Sequence, residues 1–153
     1  MSRRDQIRMT DEEVAAYLDS QRDLQVASIN ADGSPHLVTM WFALMEGDIC
    51  FWTYGRSQKI VNLQRDPRVT VLVATGADYG ELRGVTISGR AQVIEDRDEV
   101  NRIGETVFEK YWMPIEDDAT REGVRAMGSK RLGVRITPEK VVSWDHTKLG
   151  GMY

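Results

Sequence analysis

The sequence predicts a mainly β protein with helices, an α+β β-barrel of six or seven short antiparallel strands. Two observations support this class. Runs rich in β-branched and aromatic residues alternate with turn sequences that contain Gly, Asp and Pro. Helical periodicity is confined to a few segments before and between these runs. At 153 residues the chain can bury a core, and we expect a single domain over residues 1–153.

An N-terminal segment and helix are predicted over residues 1–20. Thr10 and Glu13 have the spacing of a capping box, in which each side chain bonds the backbone amide of the other residue. Val14, Tyr17 and Leu18 then recur on one helical face.

The middle of the chain is predicted to be strands. Segments 24–30 and 36–45 flank a five-residue turn, Ala31-Asp32-Gly33-Ser34-Pro35, and are expected to pair as a hairpin. Further strands are expected at 49–54, 68–74, 82–94, 132–137 and 140–145, the last two being separated by Pro138. A C-terminal tail is expected over 146–153.

Three more helices are predicted between these strands, at 57–64, 98–111 and 118–127. The first stops before Asp66-Pro67, because the residue before a proline disfavours helical backbone. In the second, Val100, Ile103 and Val107 lie on one face.

Composition excludes several classes of protein. With 20 basic and 24 acidic residues the net charge is −4, which disfavours a generally basic nucleic-acid binder. Cys50 is the only cysteine, so an internal disulfide and a CxxC zinc site are excluded. Two histidines cannot make a three-histidine metal site. The longest uncharged stretch, 33–45, is too short to span a bilayer as a helix. We expect a cytoplasmic protein without a metal, a membrane span or a nucleic-acid partner.

The segment FWTYGRSQK, residues 51–59, is a candidate phosphate site. A strand is predicted to end at Tyr54, Gly55 permits a tight turn, and a helix begins near Ser57. The free amides and the dipole at a helix N-terminus attract anions, and Arg56 and Lys59 add positive charge. The other interpretation is an ordinary strand–helix turn with two solvated cations.

The strand from His36 to Phe42 is a candidate wall for a flat ring system, although plain barrel core has the same pattern. Familiar catalytic motifs are absent: the sequence contains no GxGxxG, Walker loop or GxSxG. Cys50 is expected to be an inert buried thiol. Any chemistry is therefore assigned to a bound cofactor, with the catalytic residues unidentified. Tyr54, Tyr79 and His146 are equivalent candidates for a proton donor.

In order and spacing, these segments resemble the split β-barrel family of pyridoxamine 5′-phosphate oxidases and their flavin- and deazaflavin-dependent relatives. The resemblance covers most of the chain. It includes the D-G-x-P-H turn, the run FWTYGRSQKIVNLxxDPRV, the strand GVTISGRA and the terminal RLGVRITPEKVVSWD.

The resemblance implies an FMN-binding-like split barrel that forms a homodimer, with two cofactor sites at the subunit interface and a small-molecule substrate. The ring of the cofactor would lie against Val38, Thr39, Met40 and Trp41. Its edge or ribityl chain would touch Trp52 and Thr53. The phosphate would lie on Arg56, Ser57 and Lys59, with Gln58 in the same turn.

The chain also departs from the vitamin-pathway oxidases. They usually have Ser-Arg-Lys at the phosphate turn, where Gln58 here separates Ser57 from Lys59. A glutamine that contacts the flavin in those oxidases aligns near Gly84, and their Arg- and His-rich substrate segment is replaced by the tail. Pyridoxamine 5′-phosphate oxidase activity itself is therefore not expected.

The sequence is more similar to the actinobacterial subgroup that uses the deazaflavin coenzyme F420. The main hypothesis is an F420H2-dependent reductase that transfers a hydride to a small unsaturated organic substrate. One alternative is an FMN-binding oxidoreductase on the same fold. Another is a non-catalytic carrier or sensor of F420, flavin or haem, with His36 or His146 as a haem ligand.

Overall fold

A single antiparallel sheet of seven strands organises the computed structural model, which describes residues 1–151. The strands are β1 Leu24–Ile29, β2 Pro35–Met40, β3 Ala43–Met45, β4 Asp48–Tyr54, β5 Arg68–Thr75, β6 Arg83–Ile94 and β7 Arg131–Asp145. Their order is β2-β1-β5-β6-β7-β4-β3, so β2 and β3 form the two edges. The sheet curls into a half-barrel, which confirms the predicted α+β split-barrel class.

Five helices accompany the sheet within the described residues: α1 Arg3–Gln6, α2 Asp11–Ser20, α3 Gln58–Arg65, α4 Arg97–Tyr111 and α5 Asp118–Met127. The predicted helices are confirmed to within a residue at their ends. The capping box of α2 is formed, since Thr10 Oγ1 accepts the Glu13 amide at 3.2 Å and the Glu13 carboxylate accepts the Thr10 amide at 2.7 Å. In the predicted tail, His146–Leu149 forms a 3-10 turn, and residues 152 and 153 lie outside the described residues.

The predicted strand 36–45 is wrong in one respect, because it is two strands at opposite edges of the sheet. The break falls at Trp41 and Phe42. There the amide of Phe42 donates to the hydroxyl of Tyr111 at 3.1 Å, and the ring of Trp41 stacks on the ring of Tyr111. Through these contacts, the end of α4 holds the connection between β2 and β3.

The predicted break at Pro138 is also wrong, because β7 continues through it. Its pairing with β6 shifts register there, since the consecutive residues Ser88 and Gly89 pair with Lys140 and Pro138. The backbones approach so closely there that a Cβ on Gly89 would lie 2.1 Å from the carbonyl oxygen of Thr137. The bulge accommodates a residue that cannot donate a ladder hydrogen bond.

Two apolar clusters form the core, one on each face of the sheet. The first fills the half-barrel and includes Phe51, and the second lies beneath α4 and α5 and includes Trp52. Because successive side chains on a strand point to opposite faces, Thr53 is on the Phe51 side of β4. Cys50 is on the Trp52 side, and burial raises the pKa of its thiol to about 11, as an inert thiol requires.

Candidate cofactor site

The turn between β4 and α3 is the centre of the site. The amide of Ser57 donates to the carbonyl of Tyr54 at 3.0 Å, and α3 begins immediately afterwards, as predicted. Ser57 occupies the N-cap position, but its hydroxyl does not cap the helix. Its Oγ is buried and has no hydrogen-bond partner among residues 1–151. Free amides and an unused hydroxyl therefore meet at the positive end of the helix dipole.

Lys59 brings a positive charge to this turn. Its ammonium group donates to Thr53 Oγ1 at 3.1 Å, which joins two of the predicted site residues. Lys59 is half-buried, and burial lowers the pKa of its ammonium group. Arg56, in the turn itself, is exposed and forms no ion pair within the described part of the chain.

A buried polar network fixes α3 against the first hairpin. Asn62 is fully buried and donates to Ser28 Oγ at 3.1 Å and to Asn30 Oδ1 at 2.9 Å. Gln58 donates in turn to Asn62 Oδ1 at 2.8 Å, so its side chain is directed along α3 and not to the predicted phosphate position. Arg65 donates to the carbonyl of Ile29 at 2.5 Å. Sequence reasoning missed Asn62, although a polar residue between buried Ile60 and Leu63 was the available signal.

Strand β2 forms the second side of the site. Val38 and Met40 are half-buried and pack on the first core cluster, whereas Thr39 is exposed on the outer face. Within residues 1–151, β2 pairs with β1 alone. Every second residue of an antiparallel edge strand directs its N–H and C=O away from the sheet. The open edge of β2 therefore offers backbone donors and acceptors to a flat ligand.

An open depression joins β2 to α3. Asn30, Asp32, His36 and Gln58 line it together with Ala31, and its volume is about 490 Å³. His36 Nδ1 is buried there without a hydrogen-bond partner among the described residues. Of the predicted cofactor-binding residues, Gln58 alone lines this depression.

Trp52 is placed elsewhere. Its ring is 6% exposed in the second core cluster, and the guanidinium of Arg131 lies 4.8 Å from the ring centroid. A Cβ on Gly104 or on Gly128 would come within 2.2 Å of the ring. The ring fills a space that is open because Gly104 and Gly128 have no side chains. The side chain of Trp52 therefore belongs to the core, and only its backbone lies beside Thr53.

Residues 10–145 match the sequence profile of the family described as pyridoxamine 5′-phosphate oxidase. The chain belongs to this family. It is similar to conserved hypothetical protein Rv2991 from Mycobacterium tuberculosis, with 41% identity, a TM-score of 0.94, and coverage of 100% of this chain and 95% of that one. No curated protein gives a significant match.

Two solved structures of lower sequence identity have the same fold. An F420 reductase is 19% identical with a TM-score of 0.62, covering 82% of this chain and 93% of its own. An FAD-binding protein from Mesorhizobium loti is 19% identical with a TM-score of 0.66, covering 88% and 94%. At these identities the likeness concerns the split-barrel fold.

Neither a metal cluster nor a membrane-spanning helix is found in the described part of the chain. Residues 1–151 contain no group of three or more His, Cys, Asp or Glu side chains arranged to hold a metal ion. Among the same residues, no helix is long and apolar enough to cross a membrane.

Proposed function

We propose that the protein is an F420H2-dependent reductase that works as a homodimer on a small unsaturated organic substrate. The observation that carries the proposal is the buried, unpartnered hydroxyl of Ser57 beside Lys59 at the start of α3. A buried hydroxyl without a partner is costly, and a bound phosphate oxygen would satisfy it. The same oxygen group would gain charge-assisted bonds from Lys59 and from Arg56.

The surroundings of the turn favour F420 over FMN. The amide of Gly55 donates to the carbonyl of Lys130 at 2.9 Å, which brings the start of β7 to the turn. Three cationic residues therefore lie in or next to the turn: Arg56, Lys59 and Lys130. F420 carries an oligoglutamate tail beyond its phosphodiester, and a cationic surface of this kind suits that tail. FMN ends at its phosphate, which Arg56 and Lys59 would hold, and would offer no further anion to Lys130.

The chain's own residues would bind, orient and shield the reacting ring. Reduced F420, when bound, supplies a hydride from C5 of its ring to the substrate, and solvent supplies the proton. Val38 and Met40 would pack against the ring, and the open edge of β2 would bond its polar rim. Thr53 would hold Lys59 in place at the phosphate.

The first test is a fluorescence-quench titration of the purified protein with F420 and, separately, with FMN. Ser57→Ala should weaken F420 binding about tenfold, because one contact to a charged oxygen is lost. It should leave the free energy of unfolding almost unchanged, since the hydroxyl forms no cap bond. Thr10→Ala is the matched control: it removes a formed cap, and should cost about 1 kcal/mol of stability without affecting F420.

Lys59→Ala adds a second readout. It should weaken F420 about tenfold or more but leave binding of the deazaflavin core without its phosphodiester unchanged. Equal loss for both ligands would mean that the phosphate does not lie at this turn. Tight FMN binding with weak F420 binding would favour the FMN oxidoreductase, which the phosphate position also suits. Binding of F420 without turnover across a broad panel of acceptors would favour the non-catalytic carrier.

A further inference from the structure

Three aromatic side chains form a surface corner beside the end of β2. Trp41 and Trp112 are 44% and 57% exposed, and their rings are nearly perpendicular, at 84° with centroids 6.3 Å apart. Tyr111 backs the corner, because its ring stacks on Trp41 at 4.4 Å and 9°. We call Trp41, Tyr111 and Trp112 the aromatic corner.

The aromatic corner is held rigidly from behind. The hydroxyl of Tyr111 accepts the amide of Phe42 at 3.1 Å and donates to the carbonyl of Arg22 at 2.5 Å. Trp112 packs edge-on against Phe108 with centroids 5.0 Å apart. Two exposed indoles in fixed orientations lose little freedom when a ligand binds, which favours recognition by stacking.

The aromatic corner lies next to the proposed position of the cofactor ring. Trp41 directly follows Met40, the last residue of β2, against which the ring of the cofactor is proposed to lie. A molecule stacked on Trp41 would therefore be next to the reacting ring. Because Trp41 already lies parallel to Tyr111, a planar molecule on its exposed face would continue the stack.

The size of the corner favours a small molecule over a protein. Its exposed apolar surface comes from Trp41, Trp112 and the neighbouring Met113, and it borders the exposed charged residues Arg22 and Asp23. A stable protein interface uses roughly 20–30 residues on each side. We propose that the aromatic corner binds the substrate, and that the substrate is a planar conjugated acceptor. That this substrate receives its hydride from reduced F420 rests on the proposed function.

The experiment compares Trp112→Ala with the wild-type protein loaded with reduced F420, using menadione as a planar acceptor and cyclohexenone as a small non-aromatic one. Trp112→Ala should raise KM for menadione about threefold to tenfold, because one aromatic contact is lost. The Kd of F420 should stay unchanged, and KM for cyclohexenone should rise less than KM for menadione, because its smaller ring has less area to stack on the indole. Trp112→Phe should restore most of the menadione affinity. Met127→Ala, which trims an exposed side chain on α5, is the control.

Calorimetric titration of the cofactor-free protein with menadione tests the substrate site independently of the proposed F420-dependent function. Suppose that the wild-type protein binds menadione, that Trp112→Ala weakens menadione binding, and that F420 does not bind. The substrate site at the aromatic corner is then supported, and the proposal that F420 is the hydride donor is wrong. If F420 binds but Trp112→Ala leaves both KM and Kd for menadione unchanged, the corner is not a substrate site. If Trp112→Ala converts a dimer to a monomer in sedimentation, the corner is a subunit contact and the inference fails.

Discussion

Lys110 is a half-buried lysine whose ammonium group lies against aromatic rings. Its ammonium group lies 3.7 Å from the centroid of Phe42 and donates to the carbonyl of Leu18 at 3.4 Å. Burial lowers its pKa from 10.5 to about 8, although Asp19 raises it and Arg22 lowers it further. The attraction between the cation and the rings does not compensate for the lost water.

The depressed pKa of Lys110 predicts a pH dependence of stability. Between about pH 8 and pH 10.5 the folded protein has released this proton while the unfolded chain still binds it. The unfolded state then carries more protons, so the free energy of unfolding rises with pH across this window. Lys110→Met should be more stable than wild type at pH 7, and the difference should shrink by pH 9.5.

Urea denaturation at pH 7 and pH 9.5 measures this effect. Lys140→Met, which removes an exposed lysine from β7, should keep the wild-type pH dependence. An equal rise in stability with pH for Lys110→Met and wild type would assign the dependence to other groups.

At the scale of elements, the packing of α4 on the sheet depends on the slot that holds Trp52. A Cβ on Gly104, in the interior of α4, would lie 2.2 Å from Cζ3 of Trp52. Since the ring is also confined by Gly128, it cannot move aside without disturbing the second core cluster. Gly104→Ala should therefore destabilise the protein by about 1–3 kcal/mol, despite the better helix propensity of alanine.

Gly123 provides the matched control for this prediction. It also lies in a helix interior, in α5, and no atom stands within 4 Å of the position of its missing Cβ. Gly123→Ala should stabilise the protein by up to about 1 kcal/mol. Denaturation curves showing the same sign for both variants would mean that the slot does not hold Trp52 rigidly.

Local signals explain which elements the sequence could predict. The first hairpin follows from its turn residues, where Gly33 has a φ of +86°, and the start of α3 follows from the strand–Gly–Ser pattern at Tyr54. The break after β2 could not be predicted, because Trp41 and Phe42 continue an apolar run. Its cause is Tyr111, about seventy residues away in the chain.

Part of the geometry of the candidate site also follows from local sequence. Thr53, Ser57 and Lys59 do come together, because strand, turn and helix are consecutive in the sequence. The position of Trp52 near the end of β4 predicted a contact with the ligand, as it did for Thr53. Only the distant glycines that make room for its ring show that the side chain belongs to the core.

For the whole molecule, we expect the proposed second copy to bind on the outer side of β2 and the strands beside it. Leu37, on the outer face of β2, is 67% exposed. Near it, a groove of about 390 Å³ runs over β1, β5 and β6, with Ala27 and Thr70 in its lining. A flat ring bound to β2 would be covered by this chain on one side, and the proposed homodimer would cover the other.

The homodimer predicts that Leu37 affects assembly and cofactor binding together. Wild-type protein should sediment at twice 17.4 kDa, and Leu37→Glu should sediment as a monomer, since burying an unpaired carboxylate is unfavourable. Because the proposed cofactor site lies between two copies, F420 affinity should fall in the same variant. Met127→Glu, which places the same charge on an exposed position of α5, should leave both properties unchanged. A wild-type monomer that binds F420 tightly at every concentration would show that one half-barrel is sufficient for the site.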